Sequence, residues 1–257
     1  MPSEPTAPGP HTALRTGVVW ELLREALDRR AAAAGRPALE VLDTGGGSGS
    51  LAVRVAALGH TVTVVDPSPD ALFALERRAA EEDAADRVRG VQGDTGDLVE
   101  VAGRGRYDFV LCHGVLEYTD EPRAALGAVA ETLRASGGTL SLLAAGVGGA
   151  VLSRALAGRF TEARQALTDP DGRWGESDPV PHRFTADQLT ALAGAVGLTP
   201  LAVHGVRVFA DLVPGALVDT ETDALAALTR LEAEAAAVPA FQSIAGQLHL
   251  LAERSQP

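Results

Sequence analysis

Apolar positions along the chain alternate between two rhythms. Over about residues 13–34, Leu14, Val18, Leu22, Leu23 and Leu27 fall at three- and four-residue steps. That spacing predicts an amphipathic helix, ended by Gly35-Arg36-Pro37. The apolar run 39–42 predicts a short buried strand. A glycine cluster, Gly45-Gly46-Gly47-Ser48-Gly49, stops it, and Leu51, Val53, Val55 and Leu58 resume at mostly helical spacing. A second strand is predicted over 61–65 and closes on Asp66. Ser68 as N-cap and Pro69 in the first turn then open a helix with Leu72, Leu75 and Ala79 inward. Further strands are predicted at 87–91, 107–112 and 139–144, with a helix over about 121–134 that stops at Ser136-Gly137-Gly138.

Strand and helix in strict alternation predict an α/β fold with a parallel, doubly wound sheet. Residues 146–183 break that rhythm. They read as helical to about Leu167, then as a loop rich in Asp, Gly and Pro, and a long insert after a strand end predicts a helical cap over a site. A helix over 185–196, a long strand over 198–210, a helix over 219–237 and a short strand over 248–252 complete the chain, leaving a helical insert at about 211–247. Residues 1–11 are rich in proline and small residues and predict a disordered tail ahead of a domain spanning 12–257.

Composition narrows the function classes. The 257 residues, 46% hydrophobic, suit a single soluble domain. No apolar run reaches the ~18–20 residues of a membrane span. The N-terminus lacks a basic start and an apolar core segment, so a cytoplasmic protein without a membrane partner is expected. A single cysteine, Cys112, excludes an intramolecular disulfide and a cysteine cluster. The six histidines include no close ligand pair, so no metal is expected. There is no lysine among the 22 basic residues, which rules out lysine chemistry. The net charge of −12 weighs against a polyanionic partner, although a local arginine patch can still form.

The strongest chemical signal is the glycine turn between the first strand and its helix, paired with Asp66 about 20 residues on. Glycines let the backbone come close to a ligand, and an acid at the end of the next strand can accept both hydroxyls of a ribose. Ser50 stands where a dehydrogenase carries its third glycine, and Asp43 precedes the loop. An acid there repels a pyrophosphate and suits the ammonium of a methionine moiety.

The motifs Val-Leu-Asp-Thr-Gly-Gly-Gly-Ser-Gly, Val-Val-Asp-Pro-Ser, Gly-Asp-Thr and Tyr-Asp-Phe-Val-Leu-Cys-His-Gly-Val-Leu-Glu-Tyr, in that order, resemble those of class I S-adenosylmethionine-dependent methyltransferases. The resemblance implies a Rossmann-like, seven-stranded, mostly parallel sheet with an antiparallel C-terminal hairpin and a helical cap. It implies S-adenosyl-L-methionine as cofactor. Gly45, Gly46 and Gly47 would approach its methionine part, with Asp43 beside them, and Asp66 its ribose. Asp94 and Thr95 would face its adenine, and His113 would lie on the loop beside the sulfonium.

A closer resemblance spans almost the whole chain. Leu-Arg-Thr-Gly-Val-Val-Trp-Glu-Leu-Leu, Gly-Val-Arg-Val-Phe-Ala-Asp and Gly-Gln-Leu-His-Leu-Leu-Ala are similar to segments of the bacterial tRNA 5-carboxymethoxyuridine methyltransferases. That resemblance implies an ester-forming reaction on a tRNA wobble base, Arg15 at the cofactor carboxylate and Arg207 on the substrate side. Arg207 is expected within an apolar strand, paired with a protein or a substrate carboxylate. A carboxylate acceptor needs no base; a hydroxyl or amine would, and His113 is then available as base rather than orienting residue. The acidic charge and the acidic insert favour a small-molecule O- or N-methyltransferase instead. A non-catalytic module that retains the cofactor is the third reading.

Overall fold

The computed structural model describes residues 10–214 and 223–255, with side chains from Gly17 onward. The expected tail lies outside these residues up to position 9. The start of the helix expected at 219 also falls outside them. Helix α1 (Pro10–Ala34) leads into β1 (Glu40–Thr44), α2 (Ser50–Ala57), β2 (Thr61–Asp66), α3 (Pro69–Glu81), β3 (Val88–Gln92), α4 (Leu98–Ala102) and β4 (Phe109–His113). Then follow α5 (Pro122–Thr132), β5 (Thr139–Ala145), α6 (Val147–Leu156), α7 (Phe160–Thr168), α8 (Ala186–Ala195) and β6 (Leu198–Val206). The chain closes with α9 (Ala224–Ala236), the short α10 (Pro239–Gln242) and β7 (Gln247–Arg254).

The strands form one seven-stranded sheet in the order β3-β2-β1-β4-β5-β7-β6. Strands β1 to β5 pair in parallel, and β7 runs antiparallel to both β5 and β6. This is the Rossmann-like sheet with an antiparallel C-terminal hairpin. Both faces are buried, as the apolar runs in β1, β2 and β4 require. Leu23 and Leu27 of α1 pack with Val53 and Val55 of α2 and Leu75 of α3 on one face. Leu126 and Val129 of α5 and Leu189 of α8 cover the other. At the N-terminal edge, Asp108 is fully buried and gathers Arg30, Arg36 and Arg134 around it, which offsets the cost of desolvating its charge.

Two elements differ from the pattern in the sequence. The apolar run 198–210 stays in the sheet only to Val206, because Arg207 takes a left-handed backbone with φ of 58° that no strand continues through. Arg207 therefore stands in the turn after β6 rather than within a strand. The helical run from 146 to 167 is two helices, α6 and α7, broken at Gly158, whose φ is 74°. The segment after α7 returns to the sheet edge: Phe184 N–H donates to Ala145 C=O, and His182 N–H to Glu117 C=O.

Candidate active site

The site forms at the C-terminal edge of the parallel strands, where the turn after β1 passes beneath an open cavity of about 710 Å³. Gly45 donates its N–H to Val65 C=O at 2.7 Å, which bends the chain away from β1. Its φ is 67°, and a Cβ added there would stand 2.3 Å from Val115 Cγ2, so only glycine leaves this wall open. Asp66 braces the turn from the next strand. Its Oδ2 accepts Gly47 N–H and its Oδ1 accepts Ser68 N–H, both at 2.9 Å. Each carboxylate oxygen has a second lone pair, so a ribose diol can still be received from the cavity side.

The structure brings Gly45, Asp66, Asp94 and Thr95 together on the cavity wall, along with Val115 and Tyr118. Asp94 also ties its own turn, accepting Gly96 N–H at 2.6 Å. Gly46 and Gly47 lie in the loop behind the wall. Asp43 is buried beneath Gly46, where an added Cβ would meet its carboxyl at 2.6 Å. The Oδ2 of Asp43 has no hydrogen-bond partner among the described residues. Burial, and then the charge of Asp66, push its carboxyl up to about 7. The Arg15 side chain lies outside the described residues. His113 is the last residue of β4 rather than part of the loop that follows it. Its imidazole bonds Ser141 Oγ at 2.8 Å, and burial lowers its pKa to about 4.

These features fit S-adenosylmethionine. The cavity has the size of a cofactor-scale pocket. Beneath the glycine turn, one oxygen of the Asp43 carboxyl has no partner among the described residues, a chemistry compatible with a cation such as the methionine ammonium. The acid at the end of β2 suits the ribose, and no pyrophosphate would sit over Asp43.

A second cavity, about 220 Å³, opens beyond the end of β5, next to the strand that carries His113. Arg154, Trp174, Arg183 and Arg207 line it, against Gly146 and Gly246. Each arginine has an acidic neighbour. Arg154 meets Glu162 at 3.0 Å, Arg183 holds Asp178 through two bonds of 2.6 and 2.9 Å, and Arg207 meets Asp211 at 2.6 Å. Arg154 also lies 4.0 Å over the Trp174 ring. Two donors remain buried without a partner among the described residues: Arg207 Nε and Trp174 Nε1. The sequence singled out Arg207 but not Arg154 or Arg183, whose convergence depends on how the segment after α7 folds back. Glu232 was missed as well. From α9 it accepts the N–H groups of Val208, Phe209 and Ala210 at 3.0, 2.8 and 2.6 Å, and so fixes the turn that carries Arg207.

A sequence profile described as a methyltransferase domain matches residues 42–140. The sheet order, the glycine turn and the cofactor-scale cavity define a class I S-adenosylmethionine-dependent methyltransferase, and the chain is one. Within that class it is 28% identical over 243 residues to the tRNA 5-carboxymethoxyuridine methyltransferase of Escherichia coli K12, covering 95% of this chain and 89% of that one. It is 35% identical over 118 residues to a ubiquinone biosynthesis O-methyltransferase of Xanthomonas campestris pv. campestris, covering 45% of this chain and 47% of the relative. The fold is shared with magnesium protoporphyrin IX methyltransferase from Synechocystis PCC 6803, solved with bound S-adenosylhomocysteine. That likeness has a TM-score of 0.56 and 19% identity over 95% of this chain and 83% of the other.

Proposed function

We propose that the enzyme methylates a carboxylate, with a 5-carboxymethoxyuridine-type wobble base in tRNA as the acceptor. The observation that carries this reading is the arginine-lined cavity beyond β5, with the buried donors Arg207 Nε and Trp174 Nε1 lacking partners among the described residues. Buried N–H groups without acceptors are costly, and an anionic oxygen entering the cavity would satisfy both. The 28% identity to the tRNA 5-carboxymethoxyuridine methyltransferase across nearly the whole chain points to the same acceptor.

S-adenosylmethionine supplies a methyl group already activated by its sulfonium. The protein's work is then alignment and exclusion of water. Asp66 and the Gly45 turn would hold the cofactor, with Asp94 and Thr95 facing its adenine and Arg15 at its carboxylate. Arg207 orients the acceptor carboxylate. A carboxylate is ionised at neutral pH, so its oxygen would accept the methyl group directly, with no proton to remove and no base required of this chain.

The net charge of −12, and an acid beside each cavity arginine, favour a second reading: a small carboxylic acid as acceptor. The test is transfer of labelled methyl from S-adenosylmethionine into bulk tRNA and, separately, into a small-metabolite extract, both from cells lacking this gene. Alkali-labile label in tRNA is the expected result. Label confined to metabolites would replace the tRNA reading with the second one.

A further inference from the structure

Outside the two cavities, one buried cluster of titratable groups has no place in the scheme above. His113 at the end of β4, Ser141 in β5, His249 in β7 and His204 in β6 all face the same side of the sheet. The register pairs His113 and His249 with Leu143 on either side, and His204 with His249. Ser141 is fully buried and stands between two rings. Its Oγ is 2.8 Å from His113 Nε2 and 2.7 Å from His249 Nε2. The His249 ring is fully buried, stacks on His204 with centroids 5.7 Å apart, and meets the edge of His113 at 5.9 Å.

A serine hydroxyl carries one proton, so it donates to one of the two Nε2 atoms and accepts from the other. Burial lowers the pKa of both rings, and the neighbouring histidines lower that of His249 further, so both are neutral at pH 7. One ring therefore carries its proton on Nε2 and the other on Nδ1. The surroundings decide which. His249 Nδ1 is buried without a partner among the described residues, so a proton there would be a donor with nothing to receive it. An orphaned buried N–H is among the rarest features of folded proteins, and an unused lone pair is more readily tolerated. The His113 ring is only partly enclosed, and its Nδ1 is not among the buried unpartnered atoms. A proton on that nitrogen can be satisfied by water or by a ligand. His249 thus donates to Ser141, and Ser141 donates to His113 Nε2.

We propose that Ser141 and His249 are positioning residues that hold His113 in the tautomer protonated on Nδ1, making it a hydrogen-bond donor and not a base. The lone pair a base would use is occupied by the Ser141 hydroxyl. The two residues that follow His113, Gly114 and Val115, are on the wall of the large cavity, so His113 directly precedes the cofactor wall in the chain. This inference deepens the carboxylate reading and rests on it for its purpose. A donor can bind an anionic acceptor oxygen, whereas a hydroxyl or amine acceptor would need a proton removed. The pair then acts on specificity, by withholding a base from acceptors that require one.

The experiment is a nitrogen-15 imidazole spectrum of the full-length protein, labelled at histidine, recorded at neutral pH without cofactor or acceptor. A His113→Asn variant identifies the signal. The expected result is a neutral His113 with its proton on Nδ1. In Ser141→Ala the proton is expected to move to Nε2, the form free imidazole side chains prefer, with the backbone amide spectrum otherwise retained. A wild-type His113 protonated on Nε2, or on both nitrogens, overturns the proposal without any variant. So does a Ser141→Ala protein whose His113 stays on Nδ1. Because no acceptor is present, failure of the tRNA reading in the methyl-transfer assay and failure of this one are separate results.

Discussion

Asp66 Oδ2 accepts the backbone N–H of Gly47 at 2.9 Å, which ties the end of β2 to the turn after β1. The same carboxylate lines the cofactor cavity, so it shapes the loop and presents an acceptor to the ribose at once. Asp66→Asn replaces one acceptor oxygen with a donor and removes the charge. Hydrogen bonds to charged groups are worth about 1.5–3 kcal/mol. Affinity for S-adenosylmethionine should fall about tenfold to a hundredfold by calorimetric titration.

Asp43 gives the site a pH dependence whose sign follows from its raised pKa. Its carboxyl titrates near 7 in the folded protein and near 3.8 when unfolded. Between those values the folded state keeps a proton that the unfolded state has lost, so stability falls as pH rises and the penalty is complete above about 7. Asp43→Asn removes that penalty. Urea unfolding of the cofactor-free protein should show the variant gaining on wild type as pH rises from 4 to 8, by on the order of 2–4 kcal/mol at the upper end. Cofactor affinity should run the other way. In wild type it rises through pH 7 as Asp43 ionises beside the cation; in the variant it is lower and flat. A stability difference that does not change with pH would remove Asp43 from this role.

Arg207 separates acceptor from cofactor. It lines the smaller cavity and not the larger one, and its Nε is a buried donor without a partner among the described residues. Arg207→Ala should lower kcat/KM for the acceptor by about tenfold to a hundredfold, in line with the loss of a charge-assisted bond, while the cofactor dissociation constant stays within about twofold. Arg207→Lys keeps the charge but loses the planar fork, and should recover little of the activity. Equal loss of both affinities would show that the arginine only supports the fold.

What could be read from the sequence is local, and what could not depends on contacts between distant parts of the chain. Strand β1, its glycine turn, α2 and the acid closing β2 lie within 27 residues, 40–66, and each announces itself by spacing and residue type. Helix α4 and the turn 116–118 are too short to show a period, and they were not anticipated. The strand expected to run to Ala210 stops at Val206 because a backbone angle at Arg207, invisible in hydropathy, ends it. The smaller cavity draws on α6, the segment after α7, the turn after β6 and the approach to β7. No local pattern marks Arg183 as different from other loop arginines. His113 stands out in the sequence at the end of its apolar run, but His249, which meets its ring and shares Ser141 with it, lies across β5 and far along the chain.

Glu232 is the least conspicuous of these residues, one of two acids in an alanine-rich helix, and it makes the strongest mechanical prediction. It is almost fully buried, and its carboxylate receives three consecutive backbone N–H groups, those of Val208, Phe209 and Ala210. Glu232→Ala leaves all three donors without an acceptor, at a cost on the order of 3 kcal/mol or more. Glu232→Gln keeps one acceptor oxygen and should cost less. Both changes act on the turn that starts at Arg207 and lie outside the cofactor cavity. In protein kept folded at low temperature, acceptor KM should therefore rise in the order wild type, Glu232→Gln, Glu232→Ala, with cofactor affinity held. Amide exchange at 208–210 should quicken in the same order. An acceptor KM that stays constant while exchange quickens would mean that the turn need not be rigid for Arg207 to find its ligand.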